Sequence, residues 1–441
     1  MKEKTRQKIF DSIARTIAQG GGRIEIPLGG GEVVQLPITV RESGVPTYEL
    51  PDPLQFPNGE RIQTPEGWLE KGRERILEIF RREVYGRVPD VSVECNYRQL
   101  NYSSEALDGK AVRKEIRATF RRGPSATTMD VLICLPRTAL DRPVPIFLGL
   151  NFMGNHSIHP DPEITLSQQW MPDKPEEGIV DHCATPAARG ARRSRWPVET
   201  ILQHGFGLAT VYCGDLDPDY DDGFQNGIHP LFYRQGQERP VPDEWGAISA
   251  WAWGLRRVMD YCQDDDQIDH LRVALVGHSR LGKAALWAGA QDRRFALVIA
   301  NNSGCMGAAL SRRRFGETIA AINHLFPHWF CERFQRYNGC EEALEVDQHM
   351  LIASVAPRPV YVASAEDDLW ADPRGEFLGL KRAEPVYQLF GCSRLPIQTL
   401  PDVGTPVWDT LGYHIRSGGH DLTAYDWEQF LRFAGDHFGE S

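Results

Sequence analysis

The stretch Val273-Ala-Leu-Val-Gly-His-Ser279-Arg-Leu-Gly-Lys283-Ala-Ala-Leu-Trp-Ala-Gly-Ala290 decides the fold. Its first half is a short apolar run that reads as a buried strand. Its second half is rich in small helix formers and reads as a helix. Between them a serine stands at a strand-to-helix turn, the context of a nucleophile elbow. Such a turn is strained and needs small neighbours. Gly277, two residues before the serine, supplies one. Two residues after it stands Leu281, and glycine comes one later at Gly282, so the pattern is Gly-x-Ser-x-x-Gly. The same residues could also form an ordinary turn with an N-capping serine.

Working outward, four more apolar runs alternate with helical segments: 145–151, 207–213, 296–300 and 359–364. Continuous apolar strands separated by helices imply a buried parallel sheet with right-handed crossovers. One helix is expected at about 244–262 and another at 281–290. In such sheets the chemistry lies at the carboxyl ends of the strands. Upstream, 91–102, 111–121 and 127–135 alternate as three antiparallel strands. A helix is expected at about 66–84, capped by Thr64 with Pro65 in its first turn. Residues 41–64 read as loop. Residues 1–60 read as an N-terminal extension, with an amphipathic helix through Ile9, Ile13 and Ile17 and a hairpin over 22–40 turning at Gly29–Gly31. Residues 61–441 read as one α/β-hydrolase domain, a three-layer sandwich. Two polar stretches, 152–200 and 214–243, exceed ordinary connections; their aromatics favour ordered, cleft-forming insertions.

A serine hydroxyl needs a base and an acid to orient that base, in the chain order Ser, acid, His for this architecture. His420, behind Gly418-Gly419, is the favoured base and His414 its nearest rival. His324, His328 and His349 lie in apolar or helical runs and read as structural. The acid falls in Glu366-Asp367-Asp368, directly after a strand and next to Trp370; a solvated turn is the alternative. Arg280 and Lys283 place two cations beside the serine. They suit an anionic or hydroxyl-rich substrate, or are salt-bridged surface residues.

Composition bounds the rest. The chain has 441 residues and a formal net charge of −11, which disfavours nucleic acid as a partner. None of its nine cysteines is spaced Cys-x-x-Cys, which argues against a zinc knuckle. No apolar stretch approaches 18 residues, so no membrane span or membrane partner is expected. The charged N-terminus lacks the features of a signal peptide: the chain is either cytoplasmic or has lost a leader. A monomer that needs no metal or organic cofactor is expected.

Taken together, Gly277–Lys283, Asn302-Ser303-Gly304, Arg314–Glu317, Asp368–Pro373 and Gly418-Gly419-His420 resemble the glucuronoyl esterases, carbohydrate esterase family fifteen, most closely the bacterial branch. The resemblance spans about residues 60–435. It implies hydrolysis of esters of (4-O-methyl)glucuronic acid, as in glucuronoxylan–lignin linkages. It implies Ser279 as nucleophile, His420 as base, Asp368 as acid and Arg280 as oxyanion support. Lys283, Glu317 and Trp370 would contact the uronic acid ring. A secreted or periplasmic location is implied, with the leader removed. Two positions depart from the fungal pattern: Asn302 replaces a glutamate, which moves the acid to Asp368, and His278 replaces a cysteine, which removes a disulfide. A polysaccharide acetyl esterase with the same triad, a non-catalytic carbohydrate-binding relative and a metal hydrolase are the competing readings.

Overall fold

A computed structural model describes residues 3–29 and 32–439. The helix Glu3–Ala18 is followed by a hairpin of β1 (Gly21–Gly29) and β2 (Glu32–Thr39). Gly30 and Gly31 of the expected turn lie outside the described residues. Next comes a helical stretch over residues 65–85 that carries two π-turns, Trp68–Gly72 and Arg81–Tyr85. Thr64 caps it, its Oγ1 accepting from the Gly67 N–H at 3.1 Å.

The body is a ten-stranded sheet. Three antiparallel strands, β3 (Glu94–Glu105), β4 (Ala111–Arg122) and β5 (Ser125–Pro136), form one edge. β6 (Val144–Asn151) follows. β7 (Ile179–Val180) and β8 (Cys183–Ala184) form a separate small ladder inside the first insertion. Then come β9 (Gly207–Tyr212), β10 (Ile268–His278), β11 (Leu297–Asn301), β12 (Val360–Ala365), β13 (Val407–Trp408) and β14 (Leu411–Arg416). The spatial order is β13-β14-β12-β11-β10-β6-β9-β5-β4-β3. The six strands from β14 to β9 run parallel. Five of them are the apolar runs read in the sequence. The sixth, β14, is interrupted by Gly412, His414 and Arg416 and gives no continuous apolar signal.

The layers follow from the pleat, which sends successive side chains to opposite faces. Ile146, Leu148, Val273, Leu275, Val298, Val360 and Val362 bury one face against the helices Ala247–Asp264, Arg280–Gln291 and Pro373–Leu389. Phe147, Ala274, Val276, Ile299, Tyr361 and Ala363 bury the other against Trp196, Ile201 and the helix Ala424–Phe438. Ile9, Ile13, Ile24 and Ile26 of the N-terminal segment join the first of these clusters. The insertions are ordered because they have apolar residues of their own to bury: Ile158, Ile164 and Met171 in one, Leu216, Ile228 and Leu231 in the other. Among the described residues no helix is long and apolar enough to cross a membrane. All nine cysteines are unpaired.

The end of β14 is held by charge. Asp426, fully buried at the start of the last helix, accepts from Arg416 Nε at 2.9 Å, pairs with His414 Nε2 at 2.9 Å and accepts from Asn301 Nδ2 at 3.1 Å. Arg416 in turn donates to the carbonyls of Ser417, Gly419 and Asp421, so it clamps the loop after the strand. His414 is therefore part of this buried hub and is excluded from the cleft as a base. Removing one member of such a hub strands a buried charge, which typically costs about 3–5 kcal/mol. Asp426→Ala is expected to lose that much stability in urea unfolding; a loss below about 1 kcal/mol would show that the hub is dispensable.

Candidate active site

Ser279 sits between β10 and the helix Arg280–Gln291 with φ 59° and ψ −133°. Positive φ in a non-glycine residue is strained by about 1–3 kcal/mol and persists only where the surroundings enforce it. They do so here by close approach. A Cβ at residue 277 would lie 2.1 Å from the Leu281 carbonyl oxygen. One at residue 282 would lie 2.9 Å from the Gly277 oxygen and 3.0 Å from the Ser303 side chain. Position 281 carries a leucine whose side chain is buried in the core. The spacing Gly-x-Ser-x-x-Gly is thus what this turn requires. The Ser279 N–H donates to the Asn301 carbonyl at 2.9 Å, which ties the elbow to the neighbouring strand.

All seven residues singled out in the sequence line one cleft of about 730 Å³: Ser279, Arg280, Lys283, Glu317, Asp368, Trp370 and His420. His420 Nδ1 lies 2.6 Å from Asp368 Oδ2. Glu366 and Asp367 are exposed, whereas Asp368 is buried and is the member of the acidic triplet that meets the imidazole. The Asn302 amide donates to the same Asp368 oxygen at 2.8 Å. Asn302 brings no negative charge, yet it fixes the carboxylate that does.

Behind His420 lies His278, with ring centroids 4.6 Å apart. His278 Nδ1 is 2.6 Å from Asn301 Oδ1. Because Asn301 Nδ2 donates to Asp426, its oxygen is left to accept, and His278 carries its proton on Nδ1. Burial, and then the neighbouring His420, push the His278 pKa well down. A neutral ring therefore backs the exposed imidazole. Of the other histidines, His324 and His349 bond only backbone carbonyls, at Ala320 and Pro51. His328 pairs with Asp219.

The two cations prove both paired and within the cleft. Arg280 Nε lies 2.7 Å from Asp219 Oδ2, and its guanidinium packs 4.5 Å over the Phe152 ring. Asp219 also accepts from Trp329 Nε1 at 2.7 Å. Phe152 comes from the first insertion and Asp219 from the second, so both converge on one arginine. Lys283 is buried, its ammonium donating to the Ser303 carbonyl, the Cys305 carbonyl and Glu317 Oε2 at 2.8, 2.6 and 2.9 Å. Trp370 Nε1 completes the chain on Glu317 Oε1 at 3.2 Å. Asp219, Asn302 and His278 escape sequence reading as partners, because each contact joins residues far apart in the chain.

The turn after Asn302 has an organiser as well. Glu376, wholly buried, accepts from the Ser303 and Gly304 N–H groups, Ser303 Oγ and Ser364 Oγ, all at 2.7–3.0 Å. Burial pushes its pKa up to about 8. A carboxyl raised in the folded state above its ordinary value stabilises the fold most at low pH. That contribution fades as pH rises from the ordinary carboxyl range through 8, by about 1.4 kcal/mol per pH unit per group. Asp215, also pushed up to about 8 by burial, adds to the same slope. Glu376→Gln should therefore flatten the fall in stability between about pH 5 and 9, read from urea unfolding at several pH values. An unaltered slope would mean that Glu376 is ionised throughout.

The chain is similar to several known proteins. The model of fungal glucuronyl esterases matches residues 237–391. A carbohydrate esterase named MZ0003, from an unidentified prokaryote, is 48% identical over 396 residues, covering 90% of this chain and 91% of that protein. A 4-O-methyl-glucuronoyl methylesterase of Schizophyllum commune is 33% identical over 365 residues, 80% of this chain and 76% of that one. The solved glucuronoyl esterase of Solibacter usitatus is 46% identical with a TM-score of 0.85, covering 90% of this chain and all of that chain. With the elbow, the acidic loop and the glycine-borne histidine all in place, the chain belongs to the glucuronoyl esterases of carbohydrate esterase family fifteen, in its bacterial branch.

Proposed function

We propose that this protein is a serine esterase that cleaves esters on the carboxyl group of glucuronic acid or its 4-O-methyl ether. The observation that carries the reading is the Asp368–His420 pair in the cleft of a strained elbow serine, next to the paired cations Arg280 and Lys283. His420 Nε2 takes the Ser279 proton as Oγ attacks the ester carbonyl. Asp368 accepts from Nδ1–H, so it fixes the tautomer and stabilises the imidazolium that forms. The developing oxyanion is met by the backbone N–H of Arg280 and by its guanidinium, which Asp219 and Phe152 hold in place. The alcohol departs with the proton from His420. Water, activated by the same histidine, then releases the acid from the acyl-enzyme.

The uronate end fits the Lys283–Glu317–Trp370 chain. Glu317 and Trp370 offer an acceptor and a flat ring for sugar hydroxyls and the pyranose face, with Lys283 holding Glu317 in position. The substrate name of the Schizophyllum commune relative supports the same class. No step draws on a metal or an organic cofactor. A monomer is the state we propose, since one chain supplies every residue used.

Ser279→Ala and Asp368→Ala should lower kcat on benzyl glucuronate by about 10³-fold or more, with the protein still folded by circular dichroism. Asp219→Asn is expected to reduce kcat by roughly tenfold to a hundredfold with little change in KM, because it loosens a group used in the transition state. The substrate class is tested by comparing benzyl glucuronate with an acetylated xylo-oligosaccharide. Faster acetate release would replace this reading with that of an acetyl esterase.

A further inference from the structure

The helix Glu3–Ala18 carries two apolar stripes. One, with Ile9 and Ile13, is buried and joins the main core, with the buried Thr16 following on the same side. The other, Phe10, Ala14 and Ile17, recurs at i, i+4 and i+7 and so forms a single helical face. That face lines the same cleft as Ser279 and His420. Phe10 and Ile17 are half-buried and Ala14 is exposed, so the stripe does more than fill the core. It is physically linked to the catalytic cations. The Phe10 ring lies 6.1 Å from Phe326, which stacks on Trp329 at 3.7 Å. Trp329 in turn stands 5.8 Å from the Arg280 guanidinium and 5.9 Å from Lys283 Nζ.

We infer that this face of the N-terminal helix is a specificity-determining wall for the alcohol half of the ester, and that it selects alcohols with an aryl or alkyl body. The inference rests on the uronate-ester reading above. If the acid half sits at Lys283, Glu317 and Trp370, what remains of the substrate beyond the reacting carbonyl is the alcohol, and it must run along another part of the cleft. A hydroxyl-rich chain would need a partner for every hydroxyl it buries. Among the described residues, Gln7 is the one polar side chain that this helix brings to the cleft. An apolar group loses nothing there and leaves water. The lining supplied by the insertions, with Trp170, Lys174, His182 and Tyr220, mixes rings with polar groups and suits carbohydrate instead.

The test compares kcat/KM for benzyl and methyl glucuronate in the full-length protein. Phe10→Ala and Ala14→Gln should each lower the benzyl-to-methyl ratio by about fivefold, mainly through KM for the benzyl ester, in line with the discrimination one apolar contact gives. Ala14→Gln alters an exposed position with a good helix former, so it keeps the test valid if Phe10→Ala unfolds the helix. Lys8→Ala, an exposed position outside the cleft lining, should leave the ratio unchanged. An unchanged ratio in both cleft variants would overturn the wall, and so would an equal fall for both esters, which marks a purely structural role. An equal rise for both would also overturn it, since the helix would then be an obstruction. A wild-type protein that cleaves neither uronate ester would instead sink the proposed function, and the wall with it.

Discussion

The site depends on one close approach: the carbonyl oxygen of Leu281 occupies the space where any side chain at residue 277 would be. That contact folds the first turn of a helix back against the end of β10. Ser279 then has no route between them except through positive φ. The residues proposed for catalysis are placed relative to that bend. Asn302 and the Ser303–Gly304 turn lie one strand over, Asp368 after the next strand, and His420 after the one beyond. Three adjacent parallel strands each deliver one element at the same edge of the sheet, so geometry that looks delicate is fixed by backbone ladders.

Around this backbone frame, the side chains that line the cleft are themselves held by residues behind them. Arg280 is gripped by Asp219 and Phe152, Asp368 by Asn302, Lys283 by two carbonyls and Glu317, and the His420 loop by Arg416. Side chains held in this way need little reorganisation when charge develops, which is where preorganised polar sites derive their catalytic effect. The insertions contribute to this directly, since Arg280 is held from both of them at once.

Much of this was legible in the sequence, for reasons that can be named. The five apolar strands, the flanking antiparallel edge and the nucleophile helix announce themselves through local periodicity, and they appear there, the first edge strand three residues later than its pattern suggests. β14 did not, because a strand whose side chains form a charged hub lacks the apolar run that marks its neighbours. The cleft residues were found through motifs, but their supporting partners were not. Asp219 and Arg280 are 61 positions apart, and Asn302 and Asp368 are 66. Asn302 is instructive: judged by charge it could not serve as the acid, and judged by hydrogen bonding it holds the carboxylate of Asp368, the acid proposed above. The N-terminal helix was visible as amphipathic, yet nothing in its sequence revealed that one of its faces borders the cleft.

The clamp on the His420 loop has a chemical consequence of its own. No sulfur bridge secures that loop; Arg416 and Asp426 do. Burial alone would raise the Asp426 carboxyl, but its bonds to His414 and the charge of Arg416 bring it below the ordinary carboxylate range. A thiol reductant has nothing here to cut. Acid does: once the pH falls through that lowered value, Asp426 takes up a proton and the guanidinium loses its anchor. The histidine is moored by a carboxylate, so what loosens this one loop is a sour solution rather than a reducing one.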